Sequence, residues 1–262
     1  MLDQGRVSVN GALCKIASRR IKPGDQIEIA PRKRLPSHPA KLEILHEDDH
    51  ILVIHKPCGL LSVATAHERE KTAFAYLRRY LKETQHRQDL FIIHRLDKFT
   101  SGVLVFAKSK SVQASLRKAF SRHEIERKYW AIVEGKVEKD QATICSRLRE
   151  NRLLRMETAG DPNKGKLAVT HFRVLRRFPK FTSLEVSLET GRKNQIRVHL
   201  SEMGHPIVGD RAYGSKQDPL GRLGLHAFLL GFKHPVLGTP LLFQTDPPAE
   251  FTRFLPRNKR LP

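Results

Sequence analysis

The segment HRLDKFTSGVLVFAKS, residues 94 to 109, sets one carboxylate, Asp97, between two basic neighbours, Arg95 and Lys98. Apolar runs flank it: FIIH at 91 to 94 and VLVFA at 103 to 107 read as strands, with Thr100-Ser101-Gly102 turning the chain between them. A carboxylate held between strands suits general-base or nucleophilic chemistry, because both need fixed geometry and an ionised oxygen. Aspartate in a turn also caps backbone N–H groups, and the local pattern by itself favours that plainer role.

A second constellation is LETGRKNQIRVHLSEMGHPIVGDRAYG, residues 188 to 214. A strand ending at Thr190-Gly191 leads into an expected helix from about Gly191 to Met203, with Ile196, Leu200 and Met203 towards a core. Arg192, Lys193, Asn194 and Gln195 crowd its N-terminus, where free backbone N–H groups and the helix dipole already favour an anion. Arg197 falls near the apolar face, a position that calls for a partner. Beside a carboxylate, it would hold that group ionised and lower its pKa by about 1–3. Alone, this segment reads equally well as a surface phosphate site.

The rest of the chain supplies the frame. LEILHEDDHILVIHKP reads as two strands joined at Glu47-Asp48-Asp49, and Thr72 to Lys82 as a helix with Phe74, Leu77 and Leu81 on one face. Ser109 to Ser121 repeats the helical pattern through Val112, Leu116 and Phe120. RKYWAIVEG, 169 to 176 and 182 to 189 are further strands, and residues 145 to 168 form a basic excursion or hairpin. LHAFLLGFKHPVLGTPLLFQTDPP closes as a hairpin turning at Gly238. Adjacent strands with short turns predict an α+β fold with a mixed, mainly antiparallel sheet and flanking helices. Ahead of this, RVSVNG and IKPGDQIEIA carry the turn signals Asn10-Gly11 and Pro23-Gly24-Asp25 of a small β unit. Pro31 to Pro39 reads as a linker, so the expected division is 1–36 and 37–262.

Charge restricts the partner. With 48 Lys and Arg against 27 Asp and Glu, the net charge is +21, a field that attracts polyanions and RNA above all. No long amphipathic basic helix or spanning apolar run points to a membrane. Three widely spaced cysteines, Cys14, Cys58 and Cys145, form neither a disulfide framework nor a zinc motif. They fit a reducing compartment, and with no signal pattern at the start the chain is expected in the cytoplasm. The 13 histidines lack metal-ligand spacing, so His94, His199, His205 and His226 are assigned to structure and no metal is expected. Neither a GKS/T phosphate loop nor a dinucleotide fingerprint is present, so no cofactor is expected either.

Taken together, HRLDKFTSG, KYWAIVEG, TGRKNQIRVHL with HPIVGDRAYG, and LHAFLLGFKHP resemble the RluA-type RNA pseudouridine synthases, in order, from about Leu42 to Phe251. The N-terminal unit resembles the second half of the small, ribosomal-protein-like RNA-binding module that precedes many such enzymes, and is expected to be either a shortened version of it or one whose start has been cut. The resemblance implies isomerisation of uridine to pseudouridine in ribosomal or transfer RNA, without cofactor or metal, by a protein expected to act as a monomer. It implies the essential catalytic role for Asp97, a pairing role for Arg197, and base stacking and proton-transfer assistance for Tyr129. Arg95 would fill the space left by the departing base, with Arg192 and Lys193 as further substrate contacts. Lys193-Asn194, Phe99 and HKPCG at 55 to 59 depart from the family's usual text; none alters Asp97, Tyr129 or Arg197.

Overall fold

The computed structural model describes residues 7–14, 18–29, 42–84, 89–161 and 163–256. Both the linker expected at 31 to 39 and the boundary expected after residue 36 lie outside them. At the N-terminus, β1 (Val7–Val9), β2 (Ala12–Leu13) and β3 (Ile27–Ile29) form an antiparallel sheet in the order β2-β1-β3. Asn10 and Gly11 turn the first hairpin with φ of 52° and 75°, the left-handed pair that a two-residue turn requires. Asn10 also ties the two turns together: its Nδ2 donates to Asp25 Oδ1 (2.8 Å) and its Oδ1 accepts from Gln26 N (2.8 Å).

Eleven strands make the larger sheet. In chain order they are β4 (Glu43–Glu47), β5 (Ile51–Lys56), β6 (Phe91–Ile92), β7 (Ser101–Ala107), β8 (Glu126–Glu134), β9 (Gln141–Glu150), β10 (Met156–Thr158), β11 (Lys166–Arg177), β12 (Phe181–Leu188), β13 (Leu225–Lys233) and β14 (Pro240–Gln244). The path runs β10-β9-β11-β12-β8-β13-β7-β5-β4, with β14 on β13 and β6 on β7. Every pairing is antiparallel except β13 with β7, where His226 and Ala227 lie beside Ser101 and Gly102. Among the described residues, three α-helices flank the sheet: α1 (Ala73–Glu83), α2 (Lys110–Ser121) and α3 (Gln195–Glu202). This is the α+β arrangement expected from the strand-rich pattern.

Alternation along β5 and β7 decides which helix goes where, since successive strand residues face opposite sides. Leu52, Ile54, Leu104 and Phe106 pack in one cluster with Leu77 and Leu81 of α1 and with Ile196 and Leu200 of α3. Ile51, Val53, Val103 and Val105 pack in another with Val112 and Leu116 of α2. The helices therefore cover opposite faces, and each buried aliphatic side chain contributes about 1.5–3 kcal/mol. Thr72 and Ser109 cap α1 and α2 by accepting from Ala75 N and Val112 N.

Two sequence expectations need correction, and one alternative is decided. The strand expected at 91 to 94 stops at Ile92, leaving His94 to Thr100 as the loop that carries Asp97. Residues 145 to 168 take the hairpin alternative: β10 pairs with β9 from Met156 beside Glu150 to Thr158 beside Leu148, and β9 is held in the sheet by β11. The third helix begins at Gln195 rather than near Gly191, because Asn194 takes a left-handed φ of 52°.

The parallel contact between β7 and β13 depends on one glycine. Gly102 has φ +125°, and a Cβ there would lie 2.0 Å from the Ala227 carbonyl oxygen. Gly102→Ala is expected to destabilise the protein by about 3 kcal/mol or more, through overlap and backbone strain together; denaturant unfolding near the wild-type midpoint would refute that. The two sheets share no strand pairing, so a chain lacking residues 1–36 is expected to keep the main thermal transition. Its disappearance would disprove an independent catalytic unit.

Candidate active site

Asp97 is fixed through its neighbours in the chain. The turn after β5 runs beside the 94–100 loop and grips it on both sides of the aspartate. On one side, Ser62 Oγ donates to Leu96 O (2.6 Å) and accepts from Leu96 N (3.0 Å). On the other, Gly59 N and Lys56 Nζ donate to Lys98 O at 2.9 and 3.2 Å, and Cys58 Sγ donates to Phe99 O at 3.1 Å. Lys56 is wholly buried and also donates to Pro57 O (3.0 Å) and Leu60 O (2.7 Å). Burial pulls its pKa down to about 7, with the Cys58 and Asp97 charges opposing that fall. Leu96 anchors the loop in the core, leaving Asp97 half-buried at the base of a cleft.

Arg197 reaches Asp97 but belongs first to another carboxylate. Its Nε and Nη2 donate to the two oxygens of Asp210 at 2.7 and 2.8 Å, a bidentate pair with Asp210 only 2% exposed. The remaining Nη1 donates to Asn194 Oδ1 (3.2 Å) and stands 3.7 Å from Asp97 Oδ2. Tyr213 lies under the guanidinium, 4.7 Å from ring centroid to Cζ. Asp97 is thus left with a longer, partial counter-charge. Burial raises its pKa above the ordinary carboxylate value, and Arg197, Arg95 and Lys56 only partly oppose that rise. The sequence-based expectation of a net lowering by the arginine is therefore reversed: desolvation outweighs the pair, because Asp210 takes the better hydrogen bonds.

The cleft holds about 530 Å³ and is lined by Arg95, Asp97, Arg117, Arg127, Tyr129, Arg192 and Arg197, together with Ile93, Leu188 and Leu225. Five arginines around one aspartate give it a strongly positive wall. Tyr129 is buried on β8, and burial, opposed by Arg127, pushes its hydroxyl pKa up, so it is a neutral phenol. Arg95 lines the cleft with its side chain exposed. Arg192 also lines the cleft, its Nε donating to Leu167 O (2.9 Å).

Lys193 does not line it. Its ammonium pairs with Glu150 and donates to Leu154 O (3.1 Å), which fastens the β9–β10 turn to the segment before α3. Gln195, expected at an anion site, is buried instead: its Oε1 accepts from Thr190 Oγ1 and Arg192 N, and its Nε2 donates to Val169 O and Thr170 Oγ1. The four histidines assigned to structure sit in hydrogen-bonded frames. His199 contacts Thr170 and Ser146, His226 contacts Ser101 and Thr245, and His205 contacts the Glu134 carbonyl. His94 accepts from Val105 N (3.3 Å). Among the described residues, no three His, Cys, Asp or Glu are grouped for a metal ion, and no helix is long and apolar enough to cross a membrane.

Asp210, Lys56, Ser62 and Arg127 escaped the sequence reading, and Asn194, expected at an anion site, accepts from Arg197 instead. Asp210 stood inside HPIVGDRAYG, where the buried arginine thirteen residues earlier was the available signal. Lys56 stood in HKPCG, where nothing local betrays a buried ammonium. Ser62 carried no signal.

Residues 50–202 match the family model described as RNA pseudouridylate synthase, and residues 1–27 match that of the S4 domain. The chain is 34% identical over 262 residues to an uncharacterized RNA pseudouridine synthase of Bacillus subtilis, covering 97% of this chain and 86% of the relative. It is 36% identical over 277 residues to ribosomal large subunit pseudouridine synthase D of Nitrosomonas europaea, covering 100% and 79%. Among solved structures, human RNA pseudouridylate synthase domain containing 4 superposes with a TM-score of 0.67 at 26% identity, over 80% of this chain and 92% of that one.

A raised pKa means that ionised Asp97 is less favourable in the folded than in the unfolded chain. Stability is therefore lost as pH rises from the ordinary value, 3.8, towards the raised one. Carboxyl NMR of Asp97 is expected to titrate above 3.8, and higher still in Arg197→Met; a midpoint at or below 3.8 would contradict the balance described. Asp210→Asn, which strands Arg197, is expected to cost about 3–5 kcal/mol.

Proposed function

As the chain belongs to the RNA pseudouridine synthase family and acts as a uridine-isomerising enzyme on RNA, we propose that it modifies specific uridines of structured ribosomal or transfer RNA with Asp97 as its essential catalytic residue. The observation that carries this reading is Asp97 itself: a clamped carboxylate beside Arg197 and Tyr129 in a cleft walled by arginines. Relatives that the chain covers to 79% and 83% of their length are named for the large ribosomal subunit, which favours ribosomal RNA as the substrate.

The chemistry follows from these groups. A uridine in folded RNA is inaccessible, so it must leave its stack at a cost of a few kcal/mol. Phosphate contacts along the positive wall offset that cost, and Arg95, exposed in the cleft, takes the vacated space. Tyr129 presents an aromatic face and a neutral hydroxyl to the base. Asp97 then acts on the ribose, either by attack at the anomeric carbon or by removal of a sugar proton. Both routes require its ionised form. Arg197 favours that form without neutralising it, since its stronger bonds go to Asp210. The expelled uracil turns and rejoins through carbon, so atoms and electrons balance within one nucleotide. The N-terminal unit, matched to the S4 domain, adds a second RNA contact.

Ribosomal and transfer RNA transcripts tritiated at the uracil carbon that becomes bonded to ribose provide the test. Wild type is expected to release tritium to water, and Asp97→Asn to release none while binding RNA within a few-fold of wild type. Normal turnover by Asp97→Asn would remove Asp97 from the chemistry. Release falling as pH drops through a value above 3.8 is the accompanying pH signature.

A further inference from the structure

Arg127 is the second residue of β8 and only 8% exposed. Its Nη2 donates to the carbonyls of Leu188 (3.2 Å) and Glu189 (2.8 Å), and its guanidinium lies 5.3 Å from the centre of the Phe120 ring. Its Nε–H is buried with no hydrogen-bond partner, the one such side-chain nitrogen or oxygen among the described residues. Carbonyls and a ring leave its charge without an anion. Burial lowers its pKa, and Tyr129 alone opposes this.

An unsatisfied donor and an unpaired charge at such depth raise the free energy of the folded protein, and an anion accepting from this guanidinium would lower it. Gly191 makes room for the guanidinium itself: a Cβ there would come within 2.8 Å of Arg127 Nη1. Arg127 and Gly191 both line the cleft, with Arg117, Phe120 and Arg192. Asp97 and Tyr129 line the same cleft, and Tyr129 lies within electrostatic reach of both Arg127 and Asp97.

We propose that Arg127 receives a backbone phosphate adjacent to the target uridine, its free guanidinium N–H groups donating to the phosphate oxygens while Asp97 addresses the sugar. The proposal rests on the RNA reading above. In RNA the phosphodiester is the anionic group, and a guanidinium fork matches its oxygens. Held there, the phosphate satisfies the orphaned donor and fixes the flipped nucleotide in the cleft.

Arg127→Gln keeps a donor for the Leu188 and Glu189 carbonyls and removes the charge. With a ribosomal RNA transcript that wild type modifies, the variant is expected to bind about tenfold more weakly. Its plot of log K against log salt is expected to be shallower by about 0.7–0.9, the loss of one phosphate contact. Arg127→Lys should recover the wild-type slope and part of the affinity. A folded Arg127→Gln protein with wild-type slope and affinity overturns the proposal and leaves Arg127 as a tie between β8 and the end of β12. Should neither variant fold, the Nε–H resonance of Arg127 in the wild type decides. It must shift with uridine 3′,5′-bisphosphate and stay in place with uridine; any other pattern rejects the phosphate contact. Tritium release by wild type is scored separately, so its absence would defeat the RNA-isomerase reading, whereas an unchanged slope with normal release would defeat only the role of Arg127.

Discussion

Drawing a carboxylate partly out of water makes its charged form costly, and the Asp97 site is organised around that cost. Full pairing with an arginine would lower it but would also occupy the oxygens that the proposed chemistry uses. The structure settles between these limits by giving Arg197 two carboxylates and a better fit to one of them. Asp210 takes the bidentate bond, while Asp97 receives a single Nη1 at 3.7 Å. The outcome is a carboxyl whose pKa burial raises and Arg197 only partly restores, with its lone pairs left open to the cleft. Tyr213 under the guanidinium and Asn194 at its Nη1 prevent Arg197 from turning towards either partner.

Position is controlled separately from charge. Among the described residues, Asp97 has no side-chain hydrogen bond; its place is set by backbone carbonyls on either side, held by Ser62, Gly59 and Lys56. These groups come from the end of β5 and the turn after it, and β5 pairs with β7 along its length. The strand that follows the Asp97 loop and the turn that clamps it thus belong to one strand pair. Gly102 lets β13 approach that pair from the other side, which carries His226 to Ser101 and closes the base of the site.

Electrostatics extends the same design outward. A net charge of +21 draws RNA from a distance, but the arginines of the cleft decide how it sits. Arg95 is exposed, whereas Arg127 is buried. Such a gradient suits a ligand that must be captured first and then held in a single orientation.

From the sequence alone, the strand-rich α+β class and both amphipathic helices were legible, because periodicity is a local property of Leu77 and Leu81, or Val112 and Leu116. Asp97, Tyr129 and Arg197 were legible as a group only through several motifs occurring in order; HRLDKFTSG by itself favoured a turn cap. The extent of α3 was misread because one left-handed residue, Asn194, ends the loop later than composition suggests. Lys193 was misplaced because its partner, Glu150, lies 43 residues away on a hairpin. The sign of the Asp97 pKa shift was the deepest error. It depends on how one guanidinium divides itself between two carboxylates and on how much water each one loses. Both quantities are set by distances between elements far apart in the chain, so tertiary packing decided them, as it decided that Arg127 would be buried with a donor to spare.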